Sequence, residues 1–350
     1  MSKNNKIVVS SLAWSQPPDE LFQTQANAIR NLGYKSRFFY LNEPIPPDTK
    51  IVLVQGPYGT LLPLINQLVN CTAEHRPIMV YWFQQSLMLP RPEWVRRLFA
   101  RSFSDLHRYH REAGAVGQLL EILSPDFANT KGRRLSFLGD ILWLHRHSLL
   151  DVLVLSSTVY AKYLSQYGID SIIVPRGYHP FYGRRLLNMK RDIAVVWMGQ
   201  TRTKRRKKAI YWLQKQLEKQ GQVMHIYDAE KDTFIYGEKR AQILNRAWFV
   251  LNIFTNPTDE LSIRYYIAAA NGAVILTEPG ENEYEFITGE HLVECQVEDM
   301  PDVIQYYLAH EEEWRSISEN MLSFMKNDLT LEQSISKMLN EAQQVLKHRL

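Results

Sequence analysis

The segment from Asn245 to Glu278, NRAWFVLNIFTNPTDELSIRYYIAAANGAVILTE, restricts the fold more than any other stretch of the chain. Phe249-Val250-Leu251-Asn252-Ile253-Phe254 is apolar and β-branched, the pattern of a strand buried on both faces of a parallel sheet. Asn256-Pro257-Thr258-Asp259-Glu260 is turn chemistry that ends in acids just before a helix. Ile263 to Ala270 is expected to be that helix, with Asn271-Gly272 as its stop signal. Ala273 to Thr277 then reads as a second buried strand. Two buried strands joined by a helix require a crossover, so the sheet must be parallel and its helices must cover its faces. Loops that precede such helices lie at the carboxyl ends of the strands, and the free N–H groups there favour anions such as phosphates.

The same alternation runs through the chain. Strands are expected at Lys6–Ser10, Lys35–Tyr40, Ile51–Gln55, Ile78–Phe83, Asp151–Ser156 and Ser171–Val174. Helices are expected at Glu20–Leu32, Leu61–Val69 and Thr158–Tyr167, two of them followed by the glycines Gly33 and Gly168. After Pro175-Arg176-Gly177-Tyr178-His179-Pro180 the pattern restarts, with a strand at Ile193–Met198 that ends at Gly199. A helix at Lys207–Gln220, a strand at Val223–Tyr227 and a helix at Gly237–Asn245 lead into the opening segment. The tail from Met300 to Leu350 is helical in its spacing of apolar residues. The expected class is α/β, with a Rossmann-like domain at 1–175, a linker at 176–190 and a second Rossmann-like domain at 191–325. A C-terminal helix at 326–350 would pack back toward the first domain.

A chain of 350 residues is too long for one ordinary core, which agrees with two domains. A net charge of +4 is small for a dedicated nucleic-acid binder, so nucleic acid is not expected as a partner. Cys71 and Cys295 are the only cysteines and lack metal spacing, which suits a reducing compartment. The start, MSKNNKIVVSS, shows no signal-peptide core, and no apolar run reaches membrane-spanning length; a cytoplasmic location is expected. Arg91 to Arg111 breaks the rhythm, with six arginines against Glu93 and Asp105 and an apolar face of Val95, Leu98, Phe99, Phe103 and Leu106. It reads either as a core-packed helix with a solvated arginine face or as a peripheral contact with the inner surface of a membrane.

Several pieces resemble one known group. Asp151-Val-Leu-Val-Leu-Ser156, Tyr163-Leu164, Gly168 and Val174-Pro175-Arg176-Gly177 are similar to the last N-terminal strand, helix and linker of that group. Trp197-Met198-Gly199 with Arg202 and Arg205 is similar to its first C-terminal strand and basic phosphate loop. Arg240 to Asn245, Arg264-x-x-x-Ala268-x-Ala270-x-Gly272 and Val274 to Thr277 resemble its donor-site helices and strand, and Gly289-Glu290-His291 fits its tail. The group is the nucleotide-sugar glycosyltransferases of GT-B fold, two Rossmann-like domains facing each other across a cleft. The resemblance is to the group 1 family, in the branch related to the spore-maturation protein CgeB, over about residues 140–340.

The resemblance implies transfer of a sugar from a nucleotide-diphosphate sugar, a UDP-sugar first among the candidates, with retention and no cofactor. The acceptor could be a glycan, a lipid, a protein or a small molecule. No Asp-x-Asp motif occurs and no histidine–carboxylate cluster has metal spacing, so no metal is expected. Cations and a helix N-terminus would then neutralise the leaving diphosphate. The run Arg202, Lys204, Arg205, Arg206, Lys207 and Lys208 supplies six cations in seven positions, with Arg202 and Arg205 on one face. The alternative for this run is a solvated helix face or a nucleic-acid patch.

The donor-binding candidates are Gly199, Arg202, Arg205, Tyr227, Asp259, Glu260, Arg264, Thr277 and Glu278. Tyr227 would pack on a nucleobase or belong to the core. In the family an acid that binds the ribose follows the arginine at the position of Ile267; Asp259 matches its partner acid, and Glu278, Glu260 or water would have to replace it. The substrate-binding candidates are Ser11 and Trp14 after the first strand, Gln84 after the fourth and His179 in the linker. No catalytic residue is assigned. His145 and His147 are discounted as ligands because residues two apart on a strand point to opposite sides. The second reading of the whole chain is a catalytically inactive GT-B protein acting as a binding or scaffold protein, on the strength of Ile267 and of a missing glycine pair after the first strand.

Overall fold

The computed structural model describes residues 7–56, 61–72, 74–85, 87, 133–186, 188–201, 203–228, 235–254, 263–280, 284 and 286–349. The chain divides into two compact units, Met1–Val174 with Ile335–Leu350, and Pro175–Ser334.

The first unit holds β1 (Val8–Ala13), β2 (Lys35–Tyr40), β3 (Thr49–Gly56), β4 (Ile78–Phe83), β5 (Val152–Leu155) and β6 (Ile172–Ile173). They form a six-stranded sheet in the order β2-β1-β3-β4-β5-β6, and every pairing is parallel. The helices are α1 (Glu20–Asn31), α2 (Leu62–Asn70), α3 (Arg133–Arg146) and α4 (Thr158–Ser165). Asp19 starts α1 by accepting from Leu21 N and Phe22 N, each at 3.1 Å. β4 is buried along its whole length, as a central strand covered on both faces must be. On one face Phe83 meets Phe137 of α3 edge-on, with ring centroids 6.0 Å apart.

Two expectations change here. β1 runs to Ala13, so Ser11 lies inside the strand and not in a loop after it. Residues 133–146, unassigned from the sequence, form α3, and its last turn contains His145. The strand argument about His145 and His147 therefore lapses. His147 lies over Trp143 at 4.0 Å between ring centroids, a helical i, i+4 contact.

The second unit holds β7 (Ile193–Gly199), β8 (Met224–Asp228), β9 (Ala247–Asn252), β10 (Val274–Thr277) and β11 (Val293–Glu294). Their order is β11-β10-β9-β7-β8, again all parallel. Around them lie α5 (Lys204–Lys219), α6 (Gly237–Arg246), α7 (Ile263–Ala270), α8 (Met300–Ala309) and α9 (Glu311–Asn327). β9 starts two residues earlier than its apolar run because Ala247 pairs with Ile193. α5 starts three residues earlier than expected, because Thr203 caps it by accepting from Arg206 N at 3.3 Å.

Residues 176–190 are bonded into this unit. Tyr178 N donates to Leu329 O at 2.6 Å, and Leu331 N donates to Tyr178 O at 2.8 Å. Gly177 has φ of 81°, and a Cβ there would collide with the backbone of Leu331. The last helix, α10 (Leu331–Arg349), begins in the second unit and belongs to the first from Ile335 onward. There Gln343 Nε2 donates to Tyr34 Oη at 2.6 Å and Lys337 Nζ to Ile173 O at 3.0 Å. Arg349 and Arg76 both pair with the buried Asp151, whose Oδ2 also accepts from Met79 N at 2.8 Å. Among the described residues no helix is long and apolar enough to cross a membrane. The arginine-rich segment 91–111 lies outside the described residues.

Candidate functional site

In the second sheet β7 has β8 on one side and β9 on the other, so the chain reverses its direction of travel between β7 and β9. That is the topological switch point, where the carboxyl ends of the strands leave a crevice. Gly199 ends β7 and has φ of 147°, and a Cβ there would collide with Nη2 of Arg264. A glycine is therefore needed for Arg264 to reach across the switch point.

Arg264 sits in the first turn of α7. Its Nε donates to Met198 O at 2.6 Å and its Nη1 to Asn252 Oδ1 at 3.0 Å. Its guanidinium lies 4.6 Å from the ring centroid of the buried Trp197, and Arg206 covers the same ring at 5.4 Å. Asn252 ends β9 and is buried; its Nδ2 donates to Thr277 Oγ1 at 3.1 Å. Thr277 Oγ1 in turn donates to Glu278 O at 3.0 Å. Tyr265 is buried beside this chain of bonds. Burial pushes its hydroxyl up to about 12, against the opposing pull of hydrogen bonding to Thr277.

Arg205 lies in the first turn of α5. Its Nη1 donates to Phe254 O at 3.0 Å and to Glu278 Oε1 at 3.1 Å, and its Nη2 pairs with Glu278 Oε2. Glu278 Oε1 also accepts from Phe254 N at 2.5 Å. The Glu278 side chain is only 7% exposed, whereas that of Arg205 is 53% exposed. The bidentate bond to Glu278 raises the pKa of Arg205, so it stays a cation throughout. The turn between β7 and α5 is held from β8: Thr201 Oγ1 donates to the buried Asp228 at 2.5 Å.

The structure thus brings Gly199, Arg205, Arg264, Thr277 and Glu278 together around the switch point. Tyr227 is turned onto its strand neighbour His225, 3.2 Å from Tyr227 Oη to His225 Nδ1, and burial raises its pKa. Arg202, Asp259 and Glu260 lie outside the described residues. Ile267 follows Arg264 by one turn and is 6% exposed; its carbonyl accepts from Asn271 Nδ2 at 2.8 Å. Its side chain offers no acceptor. His179 caps the short 3-10 helix Pro180–Tyr182, with Nδ1 accepting from Phe181 N at 3.1 Å, and burial lowers its pKa.

In the first unit the corresponding switch point lies between β1 and β3. Trp14 spans it, donating from Nε1 to Gln55 O at 2.7 Å. Gln84 accepts from Gln55 Nε2 at 2.8 Å, and its own N–H donates to Gly56 O at 2.8 Å. Ser11 is buried inside β1. Sequence reading missed Asn252, Asp228 and Trp197 as parts of the second unit's site. The available signal was a polar residue closing each of two strands, Asn252 and Asp228. Among the described residues no group of three or more His, Cys, Asp or Glu could hold a metal ion.

A family model described as glycosyl transferase-like matches residues 195–340. No curated protein matches the sequence. Among solved structures the chain is similar to sucrose-phosphate synthase from Thermosynechococcus elongatus, at 10% identity and a TM-score of 0.58, covering 98% of this chain and 100% of that one. It is similar to Anabaena Alr3699/HepE in complex with UDP-glucose, at 10% identity and a TM-score of 0.53, covering 98% and 99%. It is also similar to an alpha1,3-fucosyltransferase with GDP, at 10% identity and a TM-score of 0.54, covering 99% and 92%. The chain thus has the GT-B fold of two Rossmann-like domains, and the similarity to the glycosyl transferase-like family model lies at residues 195–340, most of the second unit and the start of the piece that returns to the first.

Proposed function

We propose that the chain transfers a sugar from a nucleotide-diphosphate sugar to an acceptor hydroxyl, with retention and without a metal. The observation that carries this reading is the pair of arginines, Arg205 and Arg264, fixed on either side of the switch point behind Gly199. A departing diphosphate needs positive charge placed before the bond breaks. Arg205 is half-exposed in the first turn of α5, where free backbone N–H groups add to its charge. Arg264 is held rigidly by Met198 O, Asn252 and the Trp197 ring, so it needs no rearrangement to act. The Arg205–Glu278 pair must open for its guanidinium to reach a phosphate. Metal independence rests on the absence of an Asp-x-Asp motif and on these cations; retention rests on the resemblance to the group 1 family. The Anabaena structure holds UDP-glucose, which makes a UDP-sugar the first donor to test. A cytoplasmic location, with contact of segment 91–111 at the inner membrane surface, belongs to the same proposal.

A nucleoside diphosphate is expected to raise the melting temperature of the wild-type chain, and Arg205→Ala or Arg264→Ala to remove that shift. No shift with UDP, GDP, ADP or TDP would refute the site. The second reading, a GT-B binding protein without turnover, is favoured by the buried apolar side chain of Ile267. Slow hydrolysis of any nucleotide sugar from a donor panel would exclude it.

A further inference from the structure

The donor-site reading uses only the first turn of α5. The rest of the helix carries a feature of its own. Lys204, Lys208, Lys215 and Lys219 recur at helical spacing, and Lys207 lies beside them on the same face. All five are exposed, against one exposed acid, Glu218. The opposite face of α5 buries Ile210, Leu213 and Leu217, so the lysine face is turned to solvent along the full length of the helix, about 24 Å. Lys204, Lys207, Lys208 and Lys215 have no ion-pair partner among the described residues. Glu278 and Glu298 act on Arg205, which lies at the edge of the lysine face.

We propose that this face of α5 is a docking surface for an anionic lipid bilayer. A helix standing out from a sheet is convex, which suits a plane of charge better than a strand lying in a groove. The cations are lysines, hydrated point charges suited to diffuse attraction, and not the arginine forks that grip single phosphates. Tyr211, half-exposed within the stripe, adds the amphipathic side chain favoured at lipid headgroups. The surface is electrostatic, so adsorption is reversible and falls with salt. It is separate from nucleotide binding and stands or falls independently of it.

The test is flotation of the full-length chain with phosphatidylcholine vesicles, with and without phosphatidylglycerol, at low and high salt. Wild-type chain should float only with the charged vesicles and only at low salt. Each lysine near such a surface contributes roughly fivefold in partitioning, so the quadruple variant K207Q/K208Q/K215Q/K219Q should lose more than about 100-fold. The corresponding quadruple Lys→Arg variant should float like the wild type, because it keeps the charge. A far-UV circular dichroism spectrum and a urea unfolding midpoint equal to those of the wild type would show that the glutamine variant is still folded. Three outcomes overturn the proposal: no flotation of wild type with charged vesicles at low salt, equal flotation of the glutamine variant, or loss of flotation in the arginine variant. Displacement from the vesicles by equimolar duplex DNA would also overturn it, and would assign the face to nucleic acid.

Discussion

Gly199→Ala tests whether the site geometry is built on a missing side chain. Gly199 has φ of 147°, where an alanine costs about 1–2 kcal/mol in backbone strain alone. The added Cβ also meets the guanidinium of Arg264. Moving that group loses its bonds to Met198 O and Asn252 Oδ1, worth about 2 kcal/mol together after discounting for partial exposure. The single variant should therefore lose about 3–4 kcal/mol, and Arg264→Ala alone about 2 kcal/mol. The double variant should lose only about 3–4 kcal/mol, because removing the arginine relieves the collision; the two changes couple by about 2 kcal/mol. Urea unfolding of the full chain by tryptophan fluorescence measures the loss, and amide hydrogen exchange on β7 assigns it to the second unit. Additivity of the two changes within about 0.5 kcal/mol would refute the argument that Gly199 is required by Arg264.

Glu278→Gln removes the charge that competes for Arg205 while leaving an acceptor for Phe254 N; nucleoside diphosphate binding should tighten by about two- to fivefold in calorimetry. Weaker binding would mean that the pair positions Arg205 and does not compete for it. Asp151→Asn breaks a buried carboxylate shared by Arg76 and Arg349 and should cost the first unit about 3 kcal/mol in urea unfolding, with Arg349→Ala costing less. Tyr265 has its pKa raised from 10.0 to about 12 by burial, so its folded state holds a proton that the unfolded chain releases. Its contribution is fully present below pH 10 and is lost as pH rises toward 12, a loss of about 2 kcal/mol; Tyr265→Phe should show a correspondingly shallower fall in alkaline melting curves.

Much of the fold is legible because burial on both faces leaves a simple mark. Ile78–Phe83 and Lys35–Tyr40 have the bounds expected from β-branched and aromatic runs, and Ile263–Ala270 has the bounds set by Asn271-Gly272. α3 escapes because Phe137, Leu138, Ile141 and Leu144 sit in a short run, interrupted by Gly139, that strand and helix templates match equally well. β11 is only two residues long, too short for any period. The bonding of residues 176–190 is invisible because it depends on Leu329, Leu331 and Asn271, all far along the chain. The site behaves the same way. Polar residues at strand ends can be read directly, but the bidentate contact of Arg205 with Glu278 joins residues from different crossovers. Nothing in either neighbourhood records the other. Nor does any local pattern show that Arg206 and Arg264 both reach the Trp197 ring.

The division of α10 between the units has a consequence for the order in which the protein can be made. The first unit includes residues 335–350, where Ile335, Met338, Leu339 and Ala342 are buried and Arg349 pairs with Asp151. Those residues are synthesised after the whole of the second unit, which in chain terms is an insertion within the first. Vectorial synthesis usually completes the N-terminal domain first. Here the order is reversed: the second unit can close on itself while the first still lacks residues 335–350, and an interrupted chain leaves the earlier-made sheet with all its strands but without that helix.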